Sequence, residues 1–166
     1  MNKYKTAIEK FYQIRDLPYH IATKGEPGCD CEDKAKMLVK ELVNLGIDAR
    51  FRIGLFDWSV IDFPKEVTSI SHDKKCSHCF VEVKNSDSEW IFVDPTWNQE
   101  LKRAGFEIAE WDGNKPTCLA MKCEKILSPE ESIRYMEKID YETDLQDNGK
   151  FYEAINKFCD GLLSKS

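Results

Sequence analysis

The clearest periodic pattern in the chain runs from Asp30 to Leu45. Five residues recur there at alternating steps of four and three: Cys31, Ala35, Leu38, Leu42 and Leu45. This spacing places all five on one face of a helix. Asp30 is a favourable N-cap, and Gly46 is a favourable C-terminal stop. The pattern therefore predicts a helix that carries Cys31 in its first turn, on the buried side.

Three further helices are predicted at the two ends of the chain. Apolar spacings of three and four indicate a helix from Asn2 to about Arg15. The sequence Ser128-Pro129-Glu130-Glu131 provides a cap, a proline at the first helical position and acidic first-turn residues, so a helix is expected up to about Ile139. A last helix is expected over residues 150–163, and the acidic residues 137–147 before it are interpreted as a solvated turn.

The middle of the chain favours strands. Residues 49–56 alternate in polarity, and residues 79–83 and 89–94 form two apolar runs joined by the polar residues 85–88. The simplest pairing of these two runs is an antiparallel hairpin. A short strand is expected near residues 117–121, and the irregular residues 58–77 are expected to form a long loop. Together these elements predict one α+β domain over residues 1–166.

Composition and charge exclude several classes of function. A net charge of −6 without a basic cluster argues against nucleic-acid binding. No apolar run approaches the roughly 18 residues of a membrane span, and the N-terminus lacks the apolar core of a secretory signal. The expected compartment is the cytoplasm, where the seven cysteines should be mostly reduced.

Candidate chemistry begins at Cys31. A cysteine attacks carbonyls as its thiolate, which a helix N-terminus and a nearby imidazole both favour. The amides of that N-terminus could also hold an oxyanion. His78 begins one predicted strand and Asp94 ends its neighbour, so the open end of the hairpin brings them close together. A carboxylate there can orient the imidazole and stabilise its charged form.

Three blocks of sequence resemble the transglutaminase-like superfamily, in the family's order, over roughly residues 28–97. The segments Gly28–Ala35 and Leu42–Arg50 resemble its nucleophile helix, His78–Val83 its histidine strand and Val93–Thr96 its aspartate strand. Cys29 stands where a glycine often precedes the acidic residue, and Cys79-Phe80 replaces the commoner alanine-tryptophan.

The resemblance implies a papain-like α+β fold, with the nucleophile helix packed on an antiparallel sheet and helices flanking it at both termini. It also implies that Cys31 is the nucleophile, His78 the base and acid, and Asp94 the orienter. Such an enzyme would hydrolyse or transfer the acyl group of a protein or peptide amide through a thioester, as a thiol protease, amidase or transglutaminase-like acyl transferase. This chemistry requires no cofactor or metal.

Two other interpretations remain open. Cys29, Cys31, Cys76 and Cys79 could hold a structural zinc ion, which would sequester Cys31. Alternatively, the domain could bind a peptide without cleaving it. Two aromatic residues are candidates for substrate binding: Trp97, because it follows Asp94 closely, and Tyr19, as a donor to the oxyanion.

Overall fold

A computed structural model describes residues 2–163 and shows an α+β architecture with a four-stranded antiparallel sheet. The helices are α1 (Lys3–Arg15), α2 (Cys31–Asn44), α3 (Lys65–Thr68), α4 (Pro129–Glu137) and α5 (Tyr141–Leu163). The strands are β1 (Ala49–Asp57), β2 (Lys75–Lys84), β3 (Trp90–Val93) and β4 (Lys125–Ile126), in the spatial order β3-β2-β1-β4. Short 3-10 helices span Trp58–Val60 and Gln99–Ala104.

Helix α2 forms as its periodicity predicts. The Asp30 side chain accepts from the backbone N–H groups of Glu32 and Asp33, and the Asp33 side chain accepts from the N–H of Asp30, so both ends of a capping box are present. Gly46 supplies the positive φ of 69° that ends the helix. The buried face, which includes Leu38 and Leu42, packs into one core with the inner residues of the sheet.

The hairpin of β2 and β3 is confirmed, with Val81 opposite Val93. Its turn is closed by Asn85, whose N–H donates to the Glu89 carbonyl at 2.9 Å. The Asn85 side-chain oxygen accepts from the N–H groups of Asp87 and Glu89. This turn fixes the register and therefore the separation of the strand ends that carry His78 and Asp94.

A second core lies beneath the C-terminal helix. Trp58 packs edge-on against Phe56 and Phe151, and Phe63 packs edge-on against Phe158. This cluster ties α5 to the segment that follows β1. Among the described residues, no helix has the length and apolar character needed to cross a membrane.

Three sequence-based predictions of secondary structure are wrong: the loop over residues 58–77, the strand over residues 117–121 and the start of the last helix. Residues 58–77 are not one loop, since they contain a 3-10 helix, α3 and the first three residues of β2. Those three residues pair with the far end of β1, although their polar character hides a strand pattern. Residues 117–121 form no strand, because their backbone makes a single ladder-like bond, from Thr117 N–H to the Phe92 carbonyl. The fourth strand is β4 instead.

The last helix begins nine residues earlier than predicted, at Tyr141. Asp140 caps it by accepting from the N–H of Thr143 at 3.1 Å, and acidic residues fill its first turn. Some of the acidic residues expected to form a solvated turn, Glu142 and Asp144, therefore stabilise the N-terminus of α5.

Candidate active site

His78 and Asp94 form a direct, fully buried pair at the open end of the hairpin. Nε2 of His78 lies 2.6 Å from Oδ2 of Asp94, and neither side chain is accessible to solvent. His78 lies in β2, and Asp94 directly follows β3. Because the carboxylate occupies Nε2, the other ring nitrogen is the one that can exchange a proton with a substrate or a thiol. This nitrogen, Nδ1, is buried and has no hydrogen-bond partner among the described residues.

The Asp94 carboxylate is held in place by further donors. Oδ2 also accepts from the N–H of Ala120 at 2.7 Å, and Oδ1 accepts from the N–H and the hydroxyl of Thr96. Burial by itself raises the pKa of Asp94, but the His78 charge and these hydrogen bonds outweigh it and hold the pKa below its usual value. The carboxylate therefore stays ionised, as an orienting group for an imidazole must.

A segment after β3, residues 117–124, covers this pair. Thr117 accepts a hydrogen bond from the N–H of Asp94 at 2.9 Å, and Ala120 reaches the carboxylate as described. The sulfur of Cys123 lies over Gly54, which pairs with His78 across the sheet. A Cβ atom at position 54 would overlap that sulfur. The glycine therefore permits the close approach of the segment to the sheet.

Cys31 is the first residue of α2 and is half-buried. Burial raises the pKa of its thiol well above the usual value, and the charge of Asp30 raises it further. A hydrogen bond from the backbone N–H of Cys79 opposes these effects. That N–H belongs to the residue that follows His78. Because side chains alternate along a strand, Cys79 faces the core shared with Cys31, whereas His78 lies on the other face of β2 and stacks on Phe80.

The structure brings together two of the three predicted residues, His78 and Asp94, and records no contact between either of them and Cys31 within residues 2–163. His78 bonds directly to Asp94, whereas Cys31 contacts the adjacent peptide. No hydrogen bond links the Cys31 sulfur to Nδ1 of His78 in the part of the chain that is described. Catalytic hydrogen bonds are often long in unliganded enzymes and shorten when substrate binds.

A cleft of about 600 Å³ opens at Cys31. One wall is the first turn of α2, another is the start of β2, and the α4–α5 corner closes the far side. Ser77 and Cys79 line the cleft, whereas the buried His78 between them in sequence is not a lining residue. The hydroxyl of Tyr141, at the start of α5, donates to the Glu32 carboxylate and so connects the corner to α2.

The two predicted substrate-binding aromatics occupy different positions. Tyr19 lines the cleft and is 3% exposed, and the charge of Cys31 is the next cause after burial that raises its pKa. The Tyr19 hydroxyl forms no hydrogen bond within residues 2–163. Trp97 is not among the lining residues; its ring packs edge-on against Tyr19 at 4.7 Å, and its Nε1 donates to the Ala120 carbonyl. Trp97 therefore packs against Tyr19 without lining the cleft itself.

The backbone N–H groups at the start of α2 are not all free to bind an oxyanion, contrary to the expectation from the sequence. The N–H groups of Glu32 and Asp33 already donate to the Asp30 carboxylate. The amides expected to bind an oxyanion are therefore occupied. The N–H of Cys31 and the hydroxyl of Tyr19 remain as donors on this side of the cleft.

The four cysteines proposed as zinc ligands are not gathered into one cluster in the described part of the chain. Among residues 2–163, no group of three or more His, Cys, Asp and Glu side chains is arranged as metal ligands. All seven cysteines are free thiols, and those proposed as ligands were Cys29, Cys31, Cys76 and Cys79. The structure thus gives no support to a structural zinc module.

Lys34 is a site residue that the sequence did not reveal. It lies three residues after Cys31, is fully buried, and donates to the carbonyls of Arg15 (2.8 Å), Leu17 (2.6 Å) and Thr96 (2.9 Å). Burial lowers its pKa to about 8, so the amine remains charged at neutral pH. Because Thr96 also bonds to Asp94, Lys34 connects α2 to the carboxylate that is paired with His78.

Comparisons with known proteins agree with this arrangement. The model of the transglutaminase-like superfamily matches residues 2–95, which include α1, α2, the hairpin and all three predicted catalytic residues. Searches of curated proteins and of solved structures found no match. Since the match covers more than half of the chain, the protein belongs to the transglutaminase-like superfamily, a family whose domains are typically cysteine enzymes.

Proposed function

We propose that this protein is a cysteine-dependent amide hydrolase or acyl transferase that uses Cys31, His78 and Asp94. The observation that carries the proposal is the buried His78–Asp94 pair, whose free Nδ1 belongs to the residue before Cys79, the residue that Cys31 contacts. A buried ring nitrogen without a partner is costly, so it is rarely kept unless something binds there. A thiol that must lose its proton supplies that partner.

The reaction begins when Nδ1 of His78 takes the Cys31 proton and the sulfur attacks the carbonyl carbon. The resulting oxyanion accepts hydrogen bonds from the Cys31 N–H and the Tyr19 hydroxyl. His78 then gives its proton to the departing nitrogen, the C–N bond breaks, and a thioester on Cys31 remains. Attack by water releases a carboxylic acid, whereas attack by an amine forms a new amide. Either acceptor transfers its proton to His78, and the thiolate leaves.

Hydrolysis of a peptide or related amide is the preferred outcome. Water can reach Cys31 through the cleft of about 600 Å³ that opens there, so it is the acceptor that needs no further binding residues. The seven free thiols also suit a reducing compartment. We therefore propose that the enzyme acts in the cytoplasm on protein or peptide substrates.

An electrophilic peptide probe, followed by mass spectrometry of the intact chain and its fragments, tests the proposal. We expect one modification, at Cys31, and a sharply slower reaction in His78→Ala near neutral pH. His72→Ala is the matched control, because His72 lies outside the cleft and stacks on Phe151. Circular dichroism would confirm that each variant is folded.

Three outcomes contradict the proposal in distinguishable ways. Selective labelling of another thiol would move the nucleophile away from Cys31. An unchanged rate in His78→Ala would remove the base. A probe that binds reversibly but labels no cysteine would favour a peptide-binding domain instead.

A further inference from the structure

The cleft at Cys31 carries far more negative than positive charge. Five carboxylates line it: Asp30, Glu32, Asp33, Asp140 and Asp144. They come from two separate elements, since three lie in or just before α2 and two lie at the start of α5. Only two lysines, Lys75 and Lys138, share the lining.

Most of this charge is not neutralised within the protein. Among the described residues, Glu32 alone has a cationic partner, Lys36. Asp30 and Asp33 bond to backbone N–H groups. Asp140 bonds to Thr143, and Asp144 to Tyr152 and Asn148. Lys75 pairs with Asp57 and Glu124, neither of which lines the cleft.

The two helix N-termini do not balance this charge. Each contributes about half a positive elementary charge, so α2 and α5 together supply roughly one. Five carboxylates opposed by Lys36, Lys138 and the helix ends leave the cleft negative by roughly two charges. Lys75 hardly reduces this negative charge, because its ammonium group already pairs with two carboxylates outside the cleft. Half-burial of Asp30, Asp33 and Asp144 strengthens the field, since solvent screens them less.

A second observation points to a ligand in this space. Tyr19 lines the same cleft with only 3% of its surface exposed, and no hydrogen bond of its hydroxyl is present within residues 2–163. In that range the buried side-chain polar atoms without a partner are Nδ1 of His78 and Nε1 of Trp111, so the Tyr19 hydroxyl opens onto the cleft. A polar group of a bound substrate can accept its hydrogen bond, and the walls that such a substrate would touch are the acidic ones.

We infer that the cleft selects a substrate that carries a positive charge close to the scissile amide, such as a peptide with a lysine or arginine side chain there. This inference rests on the proposed function and specifies its substrate class. A single carboxylate about 6 Å from a bound cation, at an effective dielectric constant of about 40, favours binding roughly tenfold. Several carboxylates around one cation exceed this preference at low salt.

Matched electrophilic peptides test the inference. Three probes would differ at one position, which is lysine, norleucine or glutamate, and a second set would place that position on the other side of the electrophile. We expect Cys31 to react at least about tenfold faster with the lysine probe than with norleucine in one of the two sets, and slowest with glutamate. The preference should shrink as ionic strength rises from about 0.01 M to 1 M.

Asp144→Asn tests whether the cleft carboxylates cause the preference. Asparagine keeps the size of the side chain and its hydrogen bond from Tyr152, so a several-fold fall in the lysine-to-norleucine ratio would come from the lost charge. Asp147→Asn is the matched control: it removes the same charge from an exposed position of α5 outside the cleft, and it should leave the ratio unchanged.

The outcomes separate the inference from the proposed function. Failure of every probe to label Cys31 would contradict the catalytic assignment. Labelling of Cys31 at equal rates by all probes, in both sets, would overturn the charge preference while leaving the nucleophile in place. A preference that Asp147→Asn removes as fully as Asp144→Asn would assign it to the net charge of the protein instead of the cleft.

Discussion

Replacing Lys34 with methionine tests the connection between the nucleophile helix and Asp94. Methionine keeps the length and apolar stem of the side chain but removes three hydrogen bonds. The carbonyls of Arg15 and Thr96 are buried, whereas that of Leu17 is only partly buried, so water can replace the lost donor at Leu17 alone.

The expected loss of stability follows from these three carbonyls. Two orphaned buried acceptors cost about 1–3 kcal/mol each. Removal of a buried ammonium group returns part of that cost, because its desolvation is relieved. We expect the free energy of unfolding to fall by about 2–4 kcal/mol, which corresponds to a Tm lower by roughly 4–16 °C for a domain of this size.

Activity should fall by more than the loss of folded protein explains. Without Lys34 the Thr96 carbonyl is released, and the N–H and hydroxyl of Thr96 position the Asp94 carboxylate. We expect kcat/KM at 15 °C, where the variant is folded, to drop by at least about tenfold, a typical cost of small displacements in a catalytic arrangement.

The matched control is Lys40→Met, which removes an exposed lysine from the same helix. Urea unfolding and steady-state kinetics on both variants complete the test. If Lys34→Met unfolded within about 0.5 kcal/mol of the unmodified protein, the range expected for an ordinary surface substitution, the role assigned to these hydrogen bonds would be refuted.

Three other predictions concern the site itself. Asp94→Asn should lower kcat by about 10³–10⁴, because an amide cannot accept from all the donors around it and favours the wrong imidazole tautomer; a loss below tenfold would contradict its orienting role. The raised pKa of the Cys31 thiol means that alkylation by iodoacetamide should quicken with each pH unit and reach no plateau below about pH 9; a plateau near neutral pH would indicate a preformed thiolate. Gly54→Ala should lower Tm by displacing Cys123, and Cys123→Ala in the same chain should restore part of the loss; additive losses would argue against that contact.

The elements that sequence predicted well are those whose signals are local. The apolar stripe of α2, its Asp30 cap and Gly46 stop lie within 17 residues, and the β2–β3 hairpin is closed by its own turn. Because a hairpin register is set locally, the closeness of His78 and Asp94 also followed from pattern alone. The superfamily assignment was confirmed for the same reason, since its motifs occupy these elements.

The rest of the site depends on contacts that leave no mark in sequence. Asp94 is held partly by the N–H of Ala120, and Lys34 donates to main-chain carbonyls, so any residue could supply those partners. The segment over residues 117–124 has no regular pattern, because it is anchored by single bonds to the sheet and not by a ladder. The early start of β2 was hidden because its first residues are polar and lie at the edge of the cleft.

One physical conflict runs through the site. The carboxylates around Cys31 suit the α2 N-terminus, and Asp30 caps it, yet the charge of Asp30 raises the pKa of the thiol that must ionise. Burial raises the pKa of Asp30 to about 6, and repulsion from the neighbouring Asp33 carboxylate contributes to the rise. A cation bound in the cleft reverses both effects, since it stabilises every anion near it, the thiolate included. In the proposed reaction, a cationic substrate would therefore favour the Cys31 thiolate that the empty cleft disfavours.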